Sequence, residues 1–195
     1  NVIKLFSYEK YANEIKSLDS QVIDAILSKI CLTPGDMAYL KHHDVLYVTL
    51  TSAFPLEKEL VEKVDKATTE LLESVGGKTS LWVLEDASLV GGLKLRIGDT
   101  VYDGTVSEEL YHFEKNMNHE PIMDDDTVGL LIQEFTQKAE EFRPQIHKYQ
   151  LGRVMTVSDG ICWMDGLADI MYGEVVEFEC GETGMVLDIQ QNRIG

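Results

Sequence analysis

Residues 74–80 read SVGGKTS, and Gly77-Lys78-Thr79 looks like the closing part of a phosphate-binding loop. In such a loop glycine amides wrap a phosphate, the lysine neutralises it and the hydroxyl holds Mg²⁺. The full pattern needs a glycine five residues before Gly77, and that position is Leu72. It must also run strand, loop, helix, so that amides at a helix N-terminus face the anion. Here Leu56, Leu60, Val64, Ala67, Leu71 and Val75 recur at intervals of three and four, which predicts a helix entering the loop, with Pro55 at its first position. TSLWVLED, rich in strand formers, leaves it. The polarity is reversed, and Gly76-Gly77 reads as a helix C-cap. A small nucleotide-binding protein using Gly77-Lys78-Thr79 stands as the alternative function.

The second glycine-rich stretch is SLVGGLKLRIGDTVYDGTV, residues 88–106. It is not G-x-G-x-x-G and opens no helix. Leu93, Leu95 and Ile97 alternate with Lys94 and Arg96, which predicts a strand with one buried face. Gly98-Asp99 fits a two-residue hairpin turn, Val101 starts the return strand, and Gly104 follows Asp103 at its end. Gly91 and Gly92 are expected to permit a bulge or a close strand approach. Gly91, Gly92, Gly98, Asp99 and Gly104 are therefore assigned to backbone turns and not to a ligand.

The remaining reactive side chains form no recognisable constellation. His42, His43, His112, His119 and His147 lack metal-ligand spacing with cysteine or aspartate. Ser158-Asp159-Gly160 is not a nucleophile elbow, since G-x-S-x-G is absent. Asp124 to Asp126 read as a solvated helix start before a divalent-cation site, because the helix dipole favours negative charge there. Cys31, Cys162 and Cys180 lie far apart, with no C-x-x-C, which points to a reducing compartment and no disulfide framework. No catalytic residue, cofactor or metal is expected.

The elements that would carry these residues span 195 positions, 44% of them apolar, enough for a packed core. Acidic residues outnumber basic ones 34 to 17, a net charge of −17 that disfavours nucleic acid and anionic lipid and favours basic partners. No apolar run approaches the ~20 residues needed to cross a bilayer. The start, NVIKLFSYEKYANE, is neither a signal nor a transit peptide; it lacks an initiator Met, so a front segment is expected to be missing.

The expected fold class is α+β. Residues 1–43 read as short helices, with Ser20 capping QVIDAILSKI (Val22, Ile23, Ile26, Leu27 and Ile30 on one face) and Asp36 capping MAYLKHH. Residues 44–118 read as a two-layer α/β unit of strand, helix, strand, hairpin and helix, the last capped by Ser107. Residues 119–148 read as a linker and an amphipathic helix. Its stripe is Val128, Leu131, Ile132, Phe135, Ala139, Phe142 and Ile146, which either packs within the chain or docks in a groove of another protein. Burying about six such side chains is worth on the order of 10 kcal/mol gross, much of it offset by ordering the helix. Residues 149–195 hold short strands between Gly and Asp turns, expected to form a small β-barrel that stops before completion.

Two resemblances follow from these motifs. Residues 44–118 resemble the C-terminal part of the delta subunit of F-type ATP synthases. The carriers are VTLTSAFPLEKEL, the helix ending in GGKTS, and DASLVGGLKLRIGDTVYDGTVSEEL, which match D-x-S-L-[IV]-G-G and R-[IV]-G-D-x-V-x-D-G-S/T-V. Residues 123–195 resemble the N-terminal region of the alpha subunit of the same enzyme. The carriers are Met123, LIQEF, LGRVMTVSDGICWMDGLADIMYGEVVEF and TGMVLDIQQNRIG, with Trp163 and Met164 departing from the family pattern. The resemblance implies a non-catalytic peripheral-stalk component linking the stalk to the catalytic head, with no P-loop of its own. It implies other ATP synthase subunits as partners: the peripheral-stalk b subunit and the alpha/beta head, the latter met through Val128, Leu131, Ile132, Phe135 and Phe142. The expected location is the cytoplasmic face of a bacterial plasma membrane, held there through the complex. Delta and alpha are normally separate chains, so the join is read as a natural fusion, an engineered join or a truncated gene pair. An orphan product that binds stalk subunits without assembling is the further alternative.

Overall fold

The computed structural model describes residues 12–89, 91–108, 145–190 and 193–195. The first helix, α1, spans Ala12–Leu27 and runs straight through Ser20, which therefore does not cap it. ANEIKSLD is made largely of good helix formers, so nothing in it stops the helix short of Ala12. Asp19, Val22, Ile23 and Ile26 line its buried face. In α2, Pro34–Leu40, the cap is Thr33 and not Asp36. The Thr33 hydroxyl accepts from the Asp36 amide at 3.1 Å, and the Asp36 carboxylate accepts from the Thr33 amide at 2.9 Å. This reciprocal box satisfies two helix-end donors at once and fixes the start one turn before Met37.

Strand β1, Val45–Ser52, leads into helix α3, Lys58–Glu73, and then strand β2, Lys78–Glu85. Helix α3 starts beyond Pro55, because the chain stays extended through Glu57 (ψ 141°) while Leu56 packs on the core. Its fully buried line is Val64, Thr68 and Leu72, four apart, and Val75 is exposed. Thr68 tolerates that position because its hydroxyl donates to the Val64 carbonyl at 2.9 Å. At the far end the Gly77 amide donates to the Leu72 carbonyl and the Gly76 amide to that of Glu73, with Gly76 at φ +79°. That double bond over a left-handed glycine closes the helix.

A short 3-10 turn, Ala87–Leu89, precedes β3, Leu93–Ile97, and β4, Thr100–Asp103. The fifth strand, β5, is His147–Gln150. The sheet order is β2-β1-β3-β4-β5, with β1 and β2 parallel and the other pairs antiparallel. The β1–α3–β2 crossover lays α3 on one face, as a parallel pair requires. Leu46, Val48, Leu50, Leu93, Leu95, Ile97 and Tyr102 meet Val22, Ile23, Ile26, Val64 and Leu72 in one core. Ile146, the last residue of the expected stripe, joins this core. Residues 147–150, which the sequence divides between a helix and a barrel, instead extend the first sheet. Their backbone groups pair with β4, and the Tyr149 hydroxyl donates to the buried Asp103 carboxylate at 3.2 Å.

The chain then enters β6, Gly152–Ser158, and β7, Ile161–Gly166, followed by β8, Val175–Glu177, β9, Thr183–Met185, β10, Ile189–Gln190, and β11, Arg193–Ile194. These form a four-stranded sheet, β10-β11-β7-β6, and a two-stranded one, β8-β9, around Met164, Leu167, Val186 and Ile194. No barrel closes. Among the described residues β6 pairs with β7 alone, and strands of two and three residues offer too few ladder bonds to bridge the sheets. The two regions touch directly. The Leu151 amide donates to the Asp99 carbonyl at 2.8 Å, Gln150 Nε2 donates to Asp169, and Gly35 lies against Ala168 with no room for a side chain.

Candidate docking surface

The reversed order at Gly77-Lys78-Thr79 has structural consequences. Gly77 closes α3, so carbonyls and not free amides end the helix there. The Lys78 amide donates to the Asp44 carbonyl at 2.9 Å, and the Thr79 hydroxyl bonds Thr69 at 3.0 Å. The groups that would cradle a phosphate are already spent on the sheet and on α3. Among the described residues no group of three or more His, Cys, Asp or Glu is placed to hold a metal ion.

The turn residues lie at crowded backbone. Gly98 (φ +56°) and Asp99 join β3 to β4. Gly92 (φ +70°) presses on the Gly104 carbonyl, and Gly104 itself faces Val22 and Ile146. Gly91 packs against Val106 and Leu18. Val128, Leu131, Ile132, Phe135 and Phe142 lie outside the described residues, as do His112, His119 and Asp124 to Asp126.

Side chains alternate across a strand, so register assigns the faces of the sheet. Thr49 is opposite Trp82 on β2 and Arg96 on β3, and Thr51 is opposite Leu84 and Lys94. Tyr47, Trp82 and Leu84 thus share the face away from Val48 and Leu50, at 57%, 59% and 49% exposure. Lys94 and Arg96 flank them. An aromatic and aliphatic patch bordered by two cations, on a chain of net charge −17, suits a protein surface better than a small reactant. The signal was present in TSLWVLED, where Ser80, Trp82 and Leu84 alternate with Leu81 and Val83. Placing Tyr47 and Arg96 beside them takes register between distant strands.

Two acids bear on the packing. Burial pushes the Asp19 carboxyl up to about 6, and its Oδ1 has no hydrogen-bond partner. Asp36 is also raised, by burial first; the Thr33 amide and hydroxyl oppose the shift, and the charges of Asp99 and Asp169 add to it.

The family model for the ATP synthase delta (OSCP) subunit matches residues 16–117, from α1 through β4. The chain belongs to that family. It also carries a segment similar to the ATP synthase alpha subunit: 52% identity over 44 residues to the proteins of Alcanivorax borkumensis, Pseudomonas putida and Pseudomonas fluorescens. In each case the match covers 23% of this chain and 9% of the relative, so the chain spans about a tenth of the length of these relatives. A delta-family domain is thus joined to alpha-like sequence in one polypeptide. The delta family is a structural, non-catalytic subunit family of the ATP synthase. No helix among the described residues is long and apolar enough to cross a membrane.

Proposed function

We propose that this delta-family chain is a stator component of a proton-translocating F-type ATP synthase, linking the peripheral stalk to the catalytic head. The family match over residues 16–117 carries the reading. Its work is mechanical. Wide apolar contacts hold the stator still while the rotor turns, and no step of ATP chemistry falls to this chain. The Tyr47, Trp82 and Leu84 face serves the b subunit of the stalk, and Val128, Leu131, Ile132, Phe135 and Phe142 serve the alpha/beta head. The chain sits at the cytoplasmic face of a bacterial plasma membrane through these partners.

Reconstitution tests this. Membranes stripped of their delta subunit receive the full chain, and ATP-driven proton pumping is measured by quenching of a pH-sensitive dye. Restored pumping with an unchanged rate of ATP hydrolysis is the expected result. Failure to bind the stripped complex at micromolar chain would remove the stator assignment.

A further inference from the structure

The loop between α1 and α2 carries a thiol with two polar neighbours from distant parts of the chain. Cys31 is exposed. Its amide donates to the Tyr102 hydroxyl oxygen at 3.1 Å, and the Tyr102 hydroxyl is 3.3 Å from the Cys31 carbonyl, to which it donates. The Tyr102 ring is fully buried, so it anchors the loop to β4. Burial pushes the Tyr102 hydroxyl up to about 12, which keeps it a proton-bearing donor at any physiological pH. From β5, Lys148 Nζ donates to Cys31 Sγ at 3.5 Å and lies 5.6 Å from the centre of the Tyr102 ring. Sγ is 3.7 Å from the Tyr102 hydroxyl. The other two free thiols, Cys162 and Cys180, have no such neighbours among the described residues.

We propose that Cys31 is a site of oxidation by hydroperoxides, with Lys148 as the proton donor to the departing oxygen. The thiol proton passes to solvent and the sulfur attacks the near oxygen of the peroxide. A sulfur–oxygen bond forms and the oxygen–oxygen bond breaks. Sulfur loses two electrons and the peroxide gains them. The departing oxygen takes a proton from the Lys148 ammonium and leaves as water or an alcohol, and the lysine regains its proton from solvent. The product is a sulfenic acid whose new oxygen lies within reach of the Lys148 ammonium, a donor that holds it against further oxidation. Three elements meet at this sulfur: the α1–α2 loop, β4, and the strand that continues into the second region. Sulfenylation therefore alters the contacts at the seam between delta-like and alpha-like sequence.

The test uses the full chain, hydrogen peroxide, a carbon nucleophile that traps sulfenic acids, and mass spectrometry of each cysteine peptide. Cys31 is expected to be trapped faster than Cys180, which is also exposed. Lys148→Met should slow Cys31 at least about tenfold, less than the usual 10²–10⁴ of a positioned acid because the site is open to water. Lys148→Arg separates proton transfer from charge or packing, since guanidinium keeps the charge and hardly gives up a proton. It should slow Cys31 as Lys148→Met does. The Cys180 rate in the same sample and a urea melt report whether either variant has lost its fold. Equal rates for Cys31 and Cys180 in the unaltered chain, or a Lys148→Arg rate matching it, would overturn the proposal.

Discussion

Replacing Asp19 by Asn should make the protein more stable at neutral pH, by an amount that grows as pH rises. Asp19 is 5% exposed, lies on the buried face of α1 with Val22, Ile23 and Ile26, and has an oxygen without a partner. Burial raises its carboxyl from 3.8 to about 6. A carboxyl raised in the folded state holds its proton more tightly there than in the unfolded chain. Stability is therefore undiminished below 3.8, falls as pH climbs from 3.8 to about 6, and is flat above that. A shift of roughly two units at 1.36 kcal/mol each makes the ionised form cost about 3 kcal/mol at pH 7. Asn cannot ionise, so it escapes this cost, and any fixed penalty for burying its amide is the same at every pH. The assay is urea unfolding of both proteins followed by circular dichroism. The isoelectric point near 4.5 sets the lower limit of solubility, so the series runs from pH 5 to pH 8. About half of the full difference develops within that window. A stability gap that stays constant from pH 5 to pH 8 would refute the reasoning, since it would mean that Asp19 does not bury its charge.

Four other outcomes are expected. Gly92→Ala forces a side chain into the Gly104 carbonyl at a left-handed φ, so urea unfolding should show a loss of about 2 kcal/mol or more. Tyr149→Phe removes a hydrogen bond to the buried Asp103 carboxylate and should cost about 1.5–3 kcal/mol in the same assay, within the range for bonds to charged groups. Phe135→Ala with Phe142→Ala should weaken retention on an immobilised alpha/beta head while the melting of the first sheet is unchanged; full retention would remove the docking role of that stripe. Calorimetry of the isolated chain with ATP and Mg²⁺ should show no saturable heat at micromolar ligand, because the Lys78 amide and Thr79 hydroxyl are already bonded.

How far the sequence spoke depended on the range of the interaction. Leu93, Leu95 and Ile97 alternate within five residues, and β3 occupies that stretch, because strand alternation is local. Gly76 and Gly77 end α3 through bonds to Leu72 and Glu73, also within a turn. The start of α3 was misread because Pro55 suits a first helical position in isolation, whereas Leu56 is drawn to the core before the helix begins. Thr68 was missed on the buried line, since only the structure shows its hydroxyl satisfied by Val64. The place of β5 was beyond any local pattern: HKYQ shows no clear alternation, and its partner β4 lies more than forty residues away. The Trp82 face had the same difficulty, being assembled by register across β2, β1 and β3.

The fifth strand changes what a cut in the backbone would do. His147–Gln150 lies in sequence beyond the delta-family match, directly before β6, and in space in the first sheet, held by Ile146 in the core and by the Tyr149 hydroxyl on Asp103. A protease that clips anywhere between β4 and β5 would separate two polypeptides on a denaturing gel. In native buffer they would migrate as one particle, because the rear fragment leaves its leading strand clamped in the front one. In this molecule the join between the first and second sheets is a shared strand as well as a peptide bond, and it survives the loss of the bond.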